Sequence, residues 1–125
     1  MTDNKIITDR EEILEAVKNR GDALKNASDT LKADREVVLE AVRNDGALKY
    51  ADESLWADRE VVLEAIRNEI GPALGPALEY ASDSLKADRE VVLEAVRRYG
   101  NALEYASDPL KADREVVLEA VRHMG

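Results

Sequence analysis

Apolar residues recur at helical spacing within a segment that the chain repeats almost unchanged. The segment LKADREVVLEAVR stands at residues 31–43, 85–97 and 110–122, and its variant LWADREVVLEAIR stands at residues 55–67. In the first copy, Val38, Ala41 and Val42 fall at i, i+3 and i+4, which places them on one side of a helix. Glu40 and Arg43 lie on the opposite side as an i, i+3 pair. Each copy therefore predicts an amphipathic helix.

Both ends of each predicted helix carry a recognisable residue. The apolar run follows an aspartate and Arg-Glu, at Asp9, Asp34, Asp58, Asp88 and Asp113. An N-cap aspartate with an acidic first turn is typical of a helix start. A glycine follows twelve residues after the aspartate at Gly21, Gly46, Gly100 and Gly125, and thirteen residues after it at Gly71. We expect these glycines to end the helices in the left-handed C′ conformation, giving long helices such as 35–45 and 59–69.

A second, shorter element follows each long helix. Leu48, Ala51 and Leu55 fall at i, i+3 and i+7, which predicts a short helix with a turn. Helices of either length are marginal alone in water, so the units must stack. We predict an all-α fold of five long and four short helices, in which short tandem bihelical repeats of about 25 residues form a small right-handed solenoid-like array. The single domain 1–125 divides near 9–33, 34–57, 58–87, 88–112 and a half unit at 113–125.

Neither end of this array carries an obvious polar cap in the sequence. An exposed terminal helix would then favour self-association, and a homo-oligomer is one expectation. The alternative is that residues 1–8 fold over one end of the array and that the last helix frays.

Composition narrows the classes of function. The chain has no cysteine, which excludes disulfides, thiolate metal sites and cysteine nucleophiles. It has no apolar run long enough for a membrane span and no leader pattern, so we expect a soluble protein of the cytoplasm, or of a host cytoplasm if it is a secreted effector. The net charge is −9, and six of these nine charges lie outside the long helices. This favours a protein partner with a basic surface over direct nucleic-acid binding.

The repeated pattern D-x-E-V-V-L-x-A-V-x-x-x-G-x-A-L-x-Y-A-S-x-x-L resembles the helical repeat family named domain of unknown function 4116, over almost the whole chain from Ile6 to Gly125. The resemblance implies a bihelical repeat found in protists and bacteria, including intracellular pathogens, with roles in molecular interaction and no catalytic residue. The chain departs from the pattern at Asn26, which replaces the tyrosine, in the segment 44–47, which is one residue short, and at 70–75, where GPAL is duplicated. These irregularities favour a natural gene with recent duplications over a consensus design.

Positions that break the repeat are the best candidates for a specific function. Trp56 stands where other units have Lys32, Lys86 and Lys111. It is either an exposed binding hot spot or a ring that fills space over the shortened turn. Tyr99 has no counterpart in the other units and is a second candidate for a specific contact.

A set of tyrosines recurs at one position of the short element, at Tyr50, Tyr80 and Tyr105. One interpretation is a line of aromatic contacts on one face, and the other is packing between units with the hydroxyl reaching water. The carboxylates that border this position are Asp52, Glu53, Glu79, Asp83, Glu104 and Asp108.

Other titratable groups have weaker claims to a site. Glutamates at i, i+4, such as Glu36 with Glu40, Glu60 with Glu64 and Glu90 with Glu94, could ligate a hard cation, but the neighbouring arginines favour a salt-bridged surface. His123 is the only histidine and has no positioned partner in the sequence. We therefore expect no catalytic, metal or cofactor residues.

These observations favour a non-catalytic protein-interaction module, such as a small stoichiometric inhibitor or an adaptor, that binds through the variable acidic and aromatic positions. One alternative is an acidic nucleic-acid mimic that inhibits a DNA- or RNA-handling enzyme, as some phage proteins do. An enzyme is the weakest interpretation, and a repeat scaffold without a partner remains open.

Overall fold

The computed structural model describes residues 6–45, 48–69 and 76–124, and these residues form helices, turns and one isolated parallel β-bridge between Ile7 and Ala27. Eight α-helices, α1 to α8, lie within the described residues, and in chain order they span Arg10–Asn19, Asp29–Lys32, Arg35–Asp45, Arg59–Arg67, Asp83–Lys86, Arg89–Arg98, Asp108–Lys111 and Arg114–Arg122. The five long helices are α1, α3, α4, α6 and α8. The predicted all-α fold of tandem helical repeats is confirmed.

The predicted aspartate N-caps are present in all five long helices. In α1, the side chain of Asp9 accepts hydrogen bonds from the backbone N–H groups of Glu11 and Glu12, at 2.9 and 3.2 Å. The same side-chain cap is made at the start of the other four, by Asp34, Asp58, Asp88 and Asp113. Each aspartate satisfies backbone donors that have no partner inside the helix, so the Asp-Arg-Glu sequence fixes where every long helix begins.

The prediction that glycine ends these helices in the left-handed conformation is wrong for Gly21 and Gly100. The C-cap residues before them, Arg20 and Tyr99, are extended, with φ of −149° and −141°, and each glycine begins a 3₁₀ helix. Gly100 is needed for a close approach instead, because a Cβ atom there would lie 2.1 Å from the carbonyl oxygen of Ala120 in the next unit. The other three glycines of this set lie outside the described residues.

The predicted short helix is two shorter pieces in every unit. A 3₁₀ helix comes first, at Gly21–Asn26, Leu48–Tyr50, Ala77–Tyr80 and Gly100–Tyr105, and a single helical turn follows as α2, Glu53–Ala57, α5 and α7. An extended alanine separates the pieces, such as Ala81 with ψ of 154°. The next backbone N–H leaves the helical pattern and bonds to the preceding unit, as Ser82 does to the carbonyl oxygen of Trp56 at 2.9 Å. A hydrogen bond between units thus replaces one within the helix.

The core is a continuous line of apolar side chains between successive long helices. In α3, Leu39 and Val42 are buried, at 8% and 0% exposure, whereas their equivalents in α8, Leu118 and Val121, are 46% and 59% exposed. No further unit lies on α8 within the described residues. This side of each long helix is therefore the one that the following unit covers. Val116, which is fully buried in α8, belongs to the opposite side and faces the preceding unit.

Four arginines join each unit to the next across the starts of the long helices. We call this set the arginine ladder; its members are Arg10, Arg35, Arg59 and Arg89. Arg10 donates from Nε to Asp34 at 2.7 Å and from Nη2 to Glu36, so it contacts both acidic residues of the next Asp-Arg-Glu sequence. Arg35, Arg59 and Arg89 repeat both contacts one unit further along.

The ladder changes the acidity of the capping aspartates. Hydrogen bonds from the ladder arginines hold the pKa of Asp34, Asp58 and Asp88 below its usual range, and bonds from backbone N–H groups act in the same direction. A lowered pKa in the folded state means that these carboxylates stabilise the fold above their ordinary pKa and lose that contribution as the pH falls. The ladder is largely exposed to water, so each of its contacts adds little to the stability of the fold.

A second set of ion pairs links the far halves of the same helices. Arg67 lies 3.3 Å from Glu94, and Arg97 lies 3.3 Å from Glu119. Arg43 approaches Glu64 more loosely, at 3.7 Å. Together with the ladder, these pairs place cations of one unit on carboxylates of the next at both ends of the α3–α4, α4–α6 and α6–α8 contacts.

The first and last long helices differ on their outer sides, and the first unit agrees better with the alternative expectation that N-terminal residues cover this end. Glu12 is exposed in α1 at the position where other units carry the buried valines Val37, Val61, Val91 and Val116. A carboxylate at this position gives the first helix a polar outer side. The N-terminal residues add to this end, because Ile7 is half-buried and exchanges backbone hydrogen bonds with Asn26 and Ser28, at 2.7 and 2.9 Å.

One carboxyl group lies in the core where the repeat spacing is longest. Glu69 is only 5% exposed, and its Oε1 accepts a hydrogen bond from the backbone N–H of Ala77 at 3.1 Å. Burial raises the pKa of Glu69 to about 7, against smaller opposing effects from the Ala77 N–H and the Arg98 charge. The folded chain therefore keeps this proton over a pH range in which the unfolded chain releases it.

We predict that Arg59→Gln destabilises the fold slightly, because it removes two exposed ion pairs of the ladder. Arg114→Gln is the matched control, since Arg114 stands at the same position of its unit and has no carboxylate within 4.0 Å among the described residues. Urea unfolding followed by circular dichroism measures both. Equal stability of the two variants at low salt would refute a stabilising ladder. The difference in stability should shrink in 1 M salt, where the screening length falls to about 3 Å.

We also predict that Glu69→Gln makes the fold more stable at neutral pH. A group whose pKa rises from 4.5 to about 7 on folding costs the folded state stability as the pH rises between these values. Glutamine keeps the acceptor for Ala77 without the charge, so its advantage over the parent should be near zero at pH 4.5 and reach up to ~3 kcal/mol above pH 7. Urea unfolding at several pH values tests this, and a pH-independent difference would contradict it.

Candidate protein-interaction surface

Three tyrosines lie in a row because the short elements stack side by side. Tyr50, Tyr80 and Tyr105 each end the 3₁₀ helix of their unit, and these 3₁₀ helices pack against one another in order. All three side chains are half-buried and pack against the core while keeping an exposed part. Both interpretations of this recurring position therefore describe part of the arrangement, since the same rings contribute to packing and to the surface.

Trp56 extends the row. Its indole Nε1 donates a hydrogen bond to the carbonyl oxygen of Leu48 at 3.1 Å, and its ring centroid lies 5.8 Å from that of Tyr80, with the two planes tilted by 55°. The ring is half-buried. Trp56 thus fills space over the neighbouring turn and presents a partly exposed edge, so replacing it would alter local packing as well as the surface.

Six exposed carboxylates lie within three residues of a tyrosine of the row in the sequence. They are Asp52, Glu53, Glu79, Asp83, Glu104 and Asp108. Hydrogen bonding by Glu104, partial burial and the nearby charge of Glu79 raise the pKa of the Tyr105 hydroxyl, which shows how close these carboxylates lie to the rings. None of the six forms an ion pair with another described residue. We call the four aromatic residues and these six carboxylates the acidic–aromatic strip.

The strip already contacts one cation of the chain itself. The Nζ atom of Lys49 lies 5.4 Å from the centroid of the Tyr50 ring, within the range of a cation–π interaction. Among the acidic residues, Asp52 is held by local bonds, because the backbone N–H of Ser54 donates to it at 3.0 Å and the Ser54 side chain also lowers its pKa. The strip therefore combines rings that accept a cation with carboxylates that lack one.

Tyr99 does not occupy the tyrosine position of the row. It is half-buried at the end of α6, where its backbone N–H bonds to the carbonyl oxygen of Ala95 at 2.9 Å. It therefore precedes the 3₁₀ helix that Tyr105 ends. In the first unit the strip has no aromatic residue, because Asn26 stands at the tyrosine position and is exposed.

The glutamate pairs at i, i+4 serve the contacts between units. Glu36, Glu60 and Glu90 receive the ladder arginines, and Glu64 and Glu94 receive the second set. His123 lies 3.7 Å from Glu119. In the part of the chain that the structure describes, no group of three or more histidine or carboxylate side chains is placed to hold a metal ion.

A small cleft lies between α4 and α6. It has a volume of about 230 Å³ and is lined by Ile66, Arg67, Glu94, Arg97 and Arg98. The three arginines suggest an anion site, but each already has a partner. Arg67 and Arg97 make the ion pairs described above, and Arg98 donates from Nη2 to the carbonyl oxygen of Glu69 at 2.7 Å.

Sequence reasoning missed the arginine ladder, Glu69 and the polar first helix. The Asp-Arg-Glu sequence stands in every unit, but the sequence alone does not show that its arginine contacts the next unit. Glu12 is the one acidic residue at the position that Val37 occupies in its own unit.

Among the described residues, no helix is both long and apolar enough to cross a bilayer.

Comparison with known proteins supports the repeat assignment. The family model described as Domain of unknown function (DUF4116) matches residues 9–47, 73–111 and 88–125. No curated protein and no solved structure matches the chain. The model matches cover more than half of the sequence, with units whose Asp-x-Glu-Val-Val-Leu helices and Ala-Leu-x-Tyr-Ala segments stack as the structure shows. The chain therefore belongs to the family of domain of unknown function 4116.

Proposed function

We propose that this chain is a non-catalytic protein-interaction module whose acidic–aromatic strip binds a basic segment of a partner protein. The observation that carries the proposal is that six exposed carboxylates, none of which forms an ion pair with another described residue, adjoin in sequence a row of half-buried aromatic rings. Aromatic rings give a partner large, rigid contact area, and carboxylates select for lysine and arginine. The module would act as a small stoichiometric inhibitor or as an adaptor.

The distribution of cations supports this surface over others. Most arginines of the long helices bind carboxylates of their own or the next unit, so those helices are close to electrically balanced. The strip keeps its negative charge because its carboxylates have no such partner. Lys49 over Tyr50 shows that the rings can accept an ammonium group. A lysine- or arginine-rich segment therefore complements both parts of the strip.

An acidic nucleic-acid mimic is the second candidate. The net charge of −9 favours it, and it would bind the nucleic-acid groove of an enzyme through charge alone. The 18 lysines and arginines spread along the chain weaken any phosphate-like array. The absence of cysteine suits work in a reducing cytoplasm, for either candidate.

We predict that Glu79→Lys weakens binding of a synthetic basic peptide about tenfold, because it places a like charge within the strip. The probe is a nonapeptide with lysine at alternate positions, and binding is followed through the fluorescence of Trp56, which lies beside Tyr80. Glu11→Lys is the matched control, since Glu11 is also exposed, lies in α1 and not in the strip, and gives the same change of net charge. It should change affinity less than about twofold at physiological salt.

The aromatic part of the strip has its own pair of variants. Tyr80→Leu keeps an apolar side chain but removes the ring, and it should weaken the peptide severalfold, whereas Tyr99→Leu should not. If the chain acts as a mimic through its net charge, both lysine variants should weaken binding equally and neither leucine variant should change it. Absence of binding by the parent would remove the proposal in favour of a scaffold without this activity.

A further inference from the structure

The connection between α4 and the 3₁₀ helix that follows it is made differently from the same connection in other units. In the first unit, the backbone N–H of Ala23 donates to the backbone carbonyl oxygen of Arg20 at 3.0 Å, and in the fourth unit Ala102 donates to that of Tyr99 at 2.9 Å. In the third unit, the corresponding N–H of Ala77 donates to the side-chain Oε1 of Glu69 at 3.1 Å. A carboxyl group therefore takes the place of a backbone carbonyl.

The spacing of the repeat accounts for this exchange. Arg20, Glu69 and Tyr99 each stand eleven residues after the aspartate that caps their long helix. The alanine follows three residues later in the first and fourth units, but eight residues later in the third unit, which contains the duplicated GPAL. Glu69 thus occupies the position of the usual acceptor residue, and its longer side chain bonds to the alanine N–H. Its own backbone carbonyl oxygen accepts from Nη2 of Arg98 at 2.7 Å.

A carboxyl group, unlike a carbonyl, can lose a proton. Glu69 is only 5% exposed, so its ionised form is kept away from water. Burial outweighs the two groups that favour the ionised form, the Ala77 N–H and the Arg98 charge, and raises the pKa of Glu69 to about 7. The ionised carboxylate regains its water only by leaving the core, and leaving the core breaks its bond to Ala77.

The other charged groups near this end of α4 are engaged elsewhere or exposed. The helix packs against α3, α6 and the short elements at 48–50, 53–57 and 77–80. In the last turns of the long helices, Arg43, Arg67 and Arg97 are each placed against a glutamate, which is Glu64, Glu94 and Glu119 respectively. In the short elements, Lys49 lies over the Tyr50 ring, and Glu53 and Glu79 are exposed. Within the described part of the chain, Arg98 is therefore the charged group that acts on Glu69.

We propose that the Glu69 carboxyl group is a proton-operated switch, which holds the Ala77–Tyr80 helix against the end of α4 while it is protonated and releases that helix when it is ionised. The first and fourth units lack the switch, because their alanine N–H bonds to a backbone carbonyl that does not titrate. The release is therefore confined to the third unit and leaves the stacking of the long helices in place.

The released helix carries a residue of the acidic–aromatic strip. It ends at Tyr80, whose ring packs on Trp56, and the N–H of Ser82 just beyond it bonds to the carbonyl oxygen of Trp56. A change in its position therefore reaches Trp56, the only tryptophan of the chain. The inference rests on the Glu69–Ala77 contact alone and stands whether or not the strip binds a basic segment.

The test compares how readily two equivalent backbone N–H groups open as the pH changes. Ala81 donates to the carbonyl oxygen of Leu78 at 3.1 Å, and Ala106 donates in the same way to Leu103 in the fourth unit at 3.0 Å, so Ala106 is the internal control. The pKa of Glu69 is about 7 in the closed state and returns to 4.5 when the side chain reaches water. Opening at Ala81 should therefore increase between these pH values, by up to ~70-fold from pH 5 to pH 8, and opening at Ala106 by less than about twofold. Amide hydrogen exchange followed by NMR, corrected for the intrinsic exchange rate, measures both.

Two variants separate the switch from other effects of pH. Glu69→Gln keeps an acceptor for Ala77 that does not titrate, so the pH dependence at Ala81 should disappear. Glu79→Gln removes an exposed carboxylate of the same 3₁₀ helix and should keep the pH dependence of the parent. The fluorescence of Trp56 should change between pH 5 and pH 8 in the parent and in Glu79→Gln, and stay constant in Glu69→Gln. Circular dichroism verifies that each variant is folded.

Three results would overturn the proposal. Opening at Ala81 that does not change with pH in the parent shows that the ionised carboxylate stays in place. A pH dependence that persists in Glu69→Gln shows that another group causes it. An equal increase at Ala81 and Ala106 shows that ionisation weakens the whole fold and releases no single helix.

Discussion

A long helix of this chain cannot bury its own apolar side, and everything else in the structure depends on that constraint. Each one is about three turns long and would be marginal in isolation. Leu39 and Val42 become buried only where the next unit covers them, as their exposed equivalents in α8, Leu118 and Val121, show. The fold is therefore a series of nearly identical contacts between neighbours, and its stability grows with each contact made.

The polar contacts between units set how the apolar sides meet. The ladder arginine bonds to both acids of the next Asp-Arg-Glu, so sliding one helix along the other by a turn would break two ion pairs at once. The spacing of the aspartates varies from 24 to 30 residues, yet Arg59 reaches Asp88 at 2.9 Å across the longest interval, much as Arg10 reaches Asp34 at 2.7 Å across a shorter one. The contact is thus independent of the linker, which explains why the duplicated GPAL can be tolerated.

Local features of this fold could be predicted from sequence, and features that cross between units could not. Helix starts follow from aspartate capping, which involves residues only two or three apart. The prediction of a left-handed C′ glycine failed at Gly100 because this glycine is required by the close approach of Ala120 in another unit, and not by the end of its own helix. The short element breaks in two for a similar reason, since the Ser82 N–H bonds to the Trp56 carbonyl. For the surface, the tyrosine row was predictable from recurrence, whereas the indole hydrogen bond of Trp56 was not.

Repetition also decides where function can reside. Residues between units have the same packing role in every copy, so a substitution at one of them disturbs both neighbouring units. The acidic–aromatic strip lies outside these positions, on elements whose residues differ from unit to unit, as Asn26 and Trp56 do.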